Sequence, residues 1–276
     1  MRIGLFPFLT DYSMPVDELA IAAEARGFES IWVPEHTHIP VQRKTAYPGG
    51  GELPKEYSHT LDPFVALAAA AAVTKEIKLG TGICLIVERD TITTAKTVAT
   101  LDHFSNGRVL LGIGAGWNRE EMENHGTAYV SRFRKMEEQM QALQRIWTQD
   151  EAQFHGHYVD FDPIWSWPKP KQQPHPPLIL GGETDHTLKR IVQYGDGWLP
   201  RAREPQRVLD GMAQLERYAA EAGRAMSTIS ISVFAPPVKA MDQFLDTTAD
   251  RVILMLPAED SDATLRRLDR YTQYVR

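Results

Sequence analysis

Eight short apolar runs, separated by segments of helical periodicity, constrain this chain more than any other feature, because that alternation is the pattern of βα units around a parallel sheet. The runs cover residues 3–6, 30–34, 77–86, 108–113, 178–180, 197–199, 229–234 and 251–256. Eight units within 276 residues match an α/β (β/α)8 TIM barrel, a fold of about 250 residues before insertions. The expectation is one barrel domain over residues 1–276, with loop insertions after strands 2 and 4. An open doubly wound sheet is the alternative arrangement of the same units.

Helix ends are readable between the runs. Residues 15–26 close on Gly27, which tolerates the left-handed conformation that stops a helix. Residues 91–104 have Asp90 as N-cap and Gly107 beyond their end. In residues 131–147, Phe133, Met136, Met140, Leu143 and Trp147 fall on one face at spacings of three and four, so they pack on the sheet. Residues 37–58, rich in Pro, Gly and charge, form a candidate lid after the second strand, where barrels build their sites. Residues 150–177 read as a hairpin over 153–161 and a proline-rich return, and Trp165 and Trp167 are expected to help shape the pocket.

Net charge of −6 offers no basic surface for nucleic acid or anionic lipid, which leaves a small-molecule substrate as the expected partner. The lone Cys84, inside an apolar run, reads as a buried hydrophobe in a reducing compartment, with the cytoplasm as the default location. Residues 3–6 are too short for a signal-peptide core, and the apolar stretch 64–73 is too short to span a bilayer.

Chemistry in a barrel belongs just after the strands, and the second strand ends in Glu35-His36-Thr37-His38. His36 is the acid/base candidate, since imidazole exchanges a proton near neutral pH; a hydrogen-bonded structural histidine is the other reading. A metal on His36 and His38 would need further ligands, whereas the other strand ends offer Trp117, Gly181, Gly182 and Pro200. No metal is expected. The glycine-rich turn from Gly112 to Trp117 lacks the position of a dinucleotide fingerprint, which should follow the first strand. Gly181-Gly182-Glu183-Thr184, with Thr187 in the first turn of the following helix, has the chemistry of a phosphate seat, although a capped helix uses the same residue types.

Taken in order, these pieces resemble the bacterial luciferase-like family of FMN- and coenzyme F420-dependent oxidoreductases. The matching segments are residues 27–36 (GFESIWVPEH), 79–83 (LGTGI), 95–102 (AKTVATLD), 105–108 (SNGR), 111–117 (LGIGAGW), Gly181-Gly182 and 195–200 (GDGWLP). The resemblance implies a cis Gly82-Ile83 peptide at the third strand, which with Thr81 backs the central ring of a tricyclic cofactor. It places Gly114, Ala115, Gly116 and Gly181 beside the cofactor, and Gly182, Glu183, Thr184 and Thr187 on its phosphate. His36 would assist proton movement, and Phe6, His38, Trp117 and Trp198 would line the substrate pocket.

Ala115 stands where some FMN-using members carry an arginine, which favours the F420 branch and hydride transfer between F420 and a small organic substrate. Trp117 replaces the catalytic glutamate of certain deazaflavin dehydrogenases, so their sugar-phosphate oxidation does not carry over. The alternative is an FMN-dependent monooxygenase supplied with reduced flavin by a separate reductase. Readings from other classes are a non-catalytic flavin-binding protein and a metal-dependent barrel hydrolase. The resemblance also implies a homodimer.

Overall fold

A computed structural model describes residues 1–201, 205–245 and 247–275. Strand β1 (Arg2–Pro7) is followed by β2 (Ser30–Val33), by β3 (Lys78–Thr81) with its short continuation β4 (Cys84–Leu85), and by β5 (Val109–Gly114). After an outlying antiparallel hairpin, β6 (Ala152–His155) and β7 (Asp160–Ile164), come β8 (Leu178–Gly181), β9 (Gly197–Leu199), β10 (Ser230–Phe234) and β11 (Arg251–Leu256). The sheet runs β3-β2-β1-β11-β10-β9-β8-β5 and closes by pairing β3 with β5, with Leu79 opposite Val109 and Gly80 opposite Leu110. All of these pairings are parallel. The result is the expected closed eight-stranded barrel, and it includes both three-residue runs.

Trp32 plugs the interior, fully buried, its Nε1 donating to Ser30 Oγ at 2.8 Å. The indole fits because the facing strands carry glycine: a side chain at Gly80 would overlap its ring, and one at Gly112 would strike the Thr81 carbonyl. Phe6, Phe8, Leu110, Ile179, Leu199 and Ile253 complete this inner cluster.

The outer layer comprises α1 (Val16–Ala25), α2 (Pro63–Val73), α3 (Thr91–Phe104), the short α4 (Arg119–Asn124), α5 (Arg132–Thr148), α6 (Asp185–Tyr194), α7 (Pro205–Glu221), α8 (Asp242–Leu245) and α9 (Ser261–Tyr271). Asp62, Asp90, Thr184 and Asp260 cap their helices by accepting from backbone N–H groups of the first turn. Met136, Met140, Leu143 and Trp147 of α5 are buried and Phe133 packs at their edge, as their spacing predicts. Each such buried side chain contributes on the order of 2 kcal/mol.

Residues 150–177 depart from expectation. They follow helix α5 and lead into β8, so they cover the amino end of the barrel and not the end where strands deliver functional groups. The hairpin lays Phe154 and Val159 against Ala142, and Lys169 Nζ caps α5 by donating to the Ile146 and Gln149 carbonyls. Gln172 binds Asp102 and the Val109 carbonyl at the start of β5. Trp165 and Trp167 are 78% and 57% exposed on this segment, away from the carboxyl ends of the strands.

Candidate functional site

The carboxyl ends of β1, β3, β5, β8 and β10 meet around one backbone irregularity. Between β3 and β4 the Gly82-Ile83 peptide is cis, and Gly82 N donates to the Val33 carbonyl at 2.7 Å. Thr81, buried, donates its hydroxyl to the Gly112 carbonyl at 2.7 Å and ties the break to β5. The Ile83 side chain occupies space that a side chain at Gly114 would fill, and lies in van der Waals range of Gly181. On the other side, Gly82 abuts Phe6 and Phe234, whose rings meet edge-on with centroids 4.6 Å apart. Thr81, Gly82, Ile83, Gly114, Gly181 and Phe6 are thus brought together. Ala115 and Gly116 form the turn behind them, with Gly116 at φ +73° against Met122.

His36 stands at the end of β2, and its Nδ1 lies 2.8 Å from Oε2 of the fully buried Glu121 in α4. The imidazole meets Tyr57 at a centroid distance of 5.2 Å and Trp117 at 5.8 Å. Tyr57 also contacts Phe8 and donates its hydroxyl to that of Tyr47 at 3.2 Å. Both tyrosines come from the segment anticipated as a lid, so the barrel mouth is walled by aromatic rings. Glu120 fastens that segment by accepting from Lys44 N at 2.8 Å and Thr45 N at 3.3 Å. Hydrogen bonding from the Thr45 side chain and then from Lys44 N–H pulls the Glu120 carboxyl down to about 2.

Two more carboxyls lie beneath. Glu35, buried, accepts from Leu85 N at 2.6 Å and pairs with Arg89, which reaches Asp62 at 2.8 Å; this fixes β4 against β2. Glu88, also buried, is pushed up to about 9 by burial first and by Glu121 and Glu35 next, and its Oε2 has no hydrogen-bond partner within the chain.

At the opposite rim, α6 presents its N-terminus. Thr184 caps it by accepting from Thr187 N at 3.2 Å, and the two threonine hydroxyls lie 3.1 Å apart. Gly182, at φ +123°, holds the chain so close that a Cβ there would lie 2.9 Å from Thr187 Oγ1. The first-turn amides of a helix have no intrahelical acceptor, so two hydroxyls and a bare backbone around them make a cradle suited to a phosphate. Glu183 turns its carboxylate to Arg201, which binds it through the backbone N at 2.8 Å and through the guanidinium at 3.2 Å. That places a cation beside the cradle.

One expected pocket residue lies elsewhere. Trp198 is almost wholly buried against α7, where Gly211 makes room for the indole, and its Nε1 donates to the Gly182 carbonyl at 2.7 Å. Side chains alternate along a strand, and Leu199 takes the inner face of β9, so Trp198 must face the helices. His38, like His36, meets α4, with Asn124 Nδ2 at 2.8 Å from its Nε2 and the Thr37 hydroxyl at 2.9 Å from its Nδ1. Among the described residues no group of three or more His, Cys, Asp and Glu could hold a metal ion.

Tyr47, Tyr57, Phe234, Glu121 and Arg201 escape a reading of the sequence alone. Glu121 could have been suspected from its place in the loop after a barrel strand, but its partner lies 85 residues away. Phe234 ends a strand, where the barrel rule applies as it does to Phe6.

A family model described as luciferase-like monooxygenase matches residues 14–265. Uncharacterized protein Rv0953c of Mycobacterium tuberculosis is 39% identical over 276 residues, covering 97% of both chains. The FMNH(2)-dependent dimethylsulfone monooxygenase of Pseudomonas putida is 30% identical over 143 residues, which is 51% of this chain and 39% of the relative. Among solved structures, monooxygenase RslO1 from Streptomyces bottropensis superposes with a TM-score of 0.80 at 19% identity, covering 100% of this chain and 98% of that one. An F420-dependent secondary alcohol dehydrogenase, solved with an F420-acetone adduct, gives a TM-score of 0.69 at 26% identity over 85% of this chain and 68% of that one.

Proposed function

Because the chain belongs to the luciferase-like monooxygenase family, whose members use F420 or FMN, we propose that it is an F420-dependent oxidoreductase acting on a small organic substrate. The observation that carries this reading is His36, anchored at 2.8 Å by buried Glu121 and set among the rings of Tyr57 and Trp117 at the barrel mouth. Such a group serves a substrate oxygen that loses or gains a proton as its carbon changes oxidation state.

The chain's cradles fit a phosphorylated tricyclic cofactor. Gly182, Glu183, Thr184 and Thr187 would take its phosphate, while Thr81, Gly82, Ile83, Gly114, Ala115, Gly116 and Gly181 would back its ring. Bound there, the deazaflavin would supply a hydride-accepting and hydride-donating carbon. Phe6, Phe8, Tyr47, Tyr57, Trp117 and Phe234 exclude water from the neighbouring mouth and orient an uncharged, largely apolar substrate. Ala115 supports F420 over FMN, since no arginine side chain rises from the β5 turn at that position.

Titration of the purified protein with F420 and with FMN, followed by fluorescence, tests the proposal. F420 should bind at least about tenfold more tightly, and Thr187→Val should weaken it about tenfold through loss of a charge-assisted hydrogen bond. Tight FMN binding with oxygen consumption would overturn it. That outcome is the second reading, an FMN monooxygenase with a separate reductase, which the dimethylsulfone monooxygenase match favours.

The proposal includes a homodimer in the cytoplasm, with the protomer acting as one domain. Helix α2, PFVALAAAAAV, has no charged residue and leaves Val65 72% exposed on its outer side. Light scattering should give twice the 31.1 kDa chain mass; a particle of single-chain mass at micromolar concentration would refute the pairing. Among the described residues no helix is long and apolar enough to cross a membrane.

A further inference from the structure

Glu121 is an unusual group to find where it lies. Its side chain is fully buried, and among the described residues its one ion-pair partner is the His36 ring, at 2.8 Å. Asn118 directs its Nδ2 at the same Oε2 from 3.4 Å, while Oε1 has no partner within the chain. Asn118 is the residue before α4, yet its side chain makes no cap hydrogen bond and is spent on Glu121 instead. A carboxylate withdrawn from water is costly unless a donor faces it, and His36 Nδ1 is the nearest one.

Resting on the reading of His36 given above, we propose that Glu121 is the positioning residue of this site: it holds His36 with the proton on Nδ1, so that Nε2 is the basic atom at the barrel mouth. The two ring nitrogens are separated by one carbon and point in different directions, so with Nδ1 on Glu121 it is Nε2 that is left for a substrate, on a ring flanked by Tyr57 and Trp117. When a substrate hydroxyl approaches, its O–H bond breaks as an N–H bond forms at Nε2. The positive charge on the ring is then balanced by the buried carboxylate, and the reverse transfer returns the proton to the oxygen. Asn118 keeps Glu121 from rotating away.

The decisive measurement needs no cofactor. Long-range 1H–15N correlation spectra of the full-length protein, labelled at histidine and read in mildly alkaline buffer, report the tautomer of each neutral imidazole. His36, assigned by the loss of its signals in His36→Gln, should be the Nδ1–H form. In Glu121→Met, which keeps the volume but removes the acceptor, the ring should turn to mostly Nε2–H. A wild-type Nε2–H ring, or a Met variant that stays Nδ1–H, would overturn the proposal whatever cofactor the protein uses. With F420 turnover in hand, Glu121→Gln should lower kcat about 100-fold while cofactor affinity stays within twofold, and Glu121→Asp should recover part of the loss. A Gln variant within twofold of wild-type kcat would likewise overturn it. Absence of F420 turnover in the wild type would refute the function and leave the tautomer result standing.

Discussion

His36→Gln is expected to bind the cofactor within threefold of wild-type affinity and to turn over at least about 100-fold more slowly, the range that positioned general acid–base groups supply. Glutamine is the informative replacement because its amide can still donate to Glu121, whereas alanine would leave a fully buried carboxylate without its partner and confound the assay with instability. Neither amide atom of glutamine takes up a proton near neutral pH. Stopped-flow traces of the F420 absorbance, with thermal melts as a control, make the comparison. Turnover within threefold of wild type would remove His36 from the chemistry and reduce it to a structural histidine.

Glu88 yields the second large effect, on stability. Burial holds its carboxyl protonated up to about 9, against an ordinary value of 4.5 in the unfolded chain. Below pH 4.5 both states carry the proton and the group contributes no pH-dependent loss. Between about pH 4.5 and 9 the unfolded chain releases a proton that the folded one retains, so stability falls as pH rises, with a limiting slope of about 1.4 kcal/mol per pH unit from this group. Glu88→Gln has no such proton to retain. Relative to wild type it should gain on the order of 2 kcal/mol between pH 5 and pH 7 in urea unfolding, with a flatter dependence on pH. Identical pH slopes for the two proteins would show that Glu88 titrates normally in the folded chain.

What the sequence makes legible follows the range of the interactions involved. The cradle at α6 can be read directly, since Gly182, Thr184 and Thr187 fall within six residues and capping is local chemistry. The same holds for Asp90, whose carboxylate meets an amide three residues on. Barrel closure is legible through the count of units, although the pairing of β3 with β5 rests on no nearby signal.

The misjudged residues depend on facts that sequence spacing does not carry. In the three-residue β9, only the inward placement of Leu199 decides that Trp198 faces outward. Trp165 and Trp167 are expected at the pocket, but their segment enters a strand at its amino end. The aromatic mouth needs both the lid and β10, which are far apart in the chain and are joined only by the closed barrel.

The outward face of Trp198 bears on how this protein could be altered. Its indole lies in the space left by Gly211 on α7 and holds the Gly182 carbonyl from behind, so the proposed phosphate cradle is braced through the helix layer. A mutant library confined to the mouth would never touch that brace. If the proposed cradle holds the cofactor, randomising Gly211 gives selections for changed cofactor preference a handle remote from the barrel mouth, because a side chain there would press on the Trp198 ring.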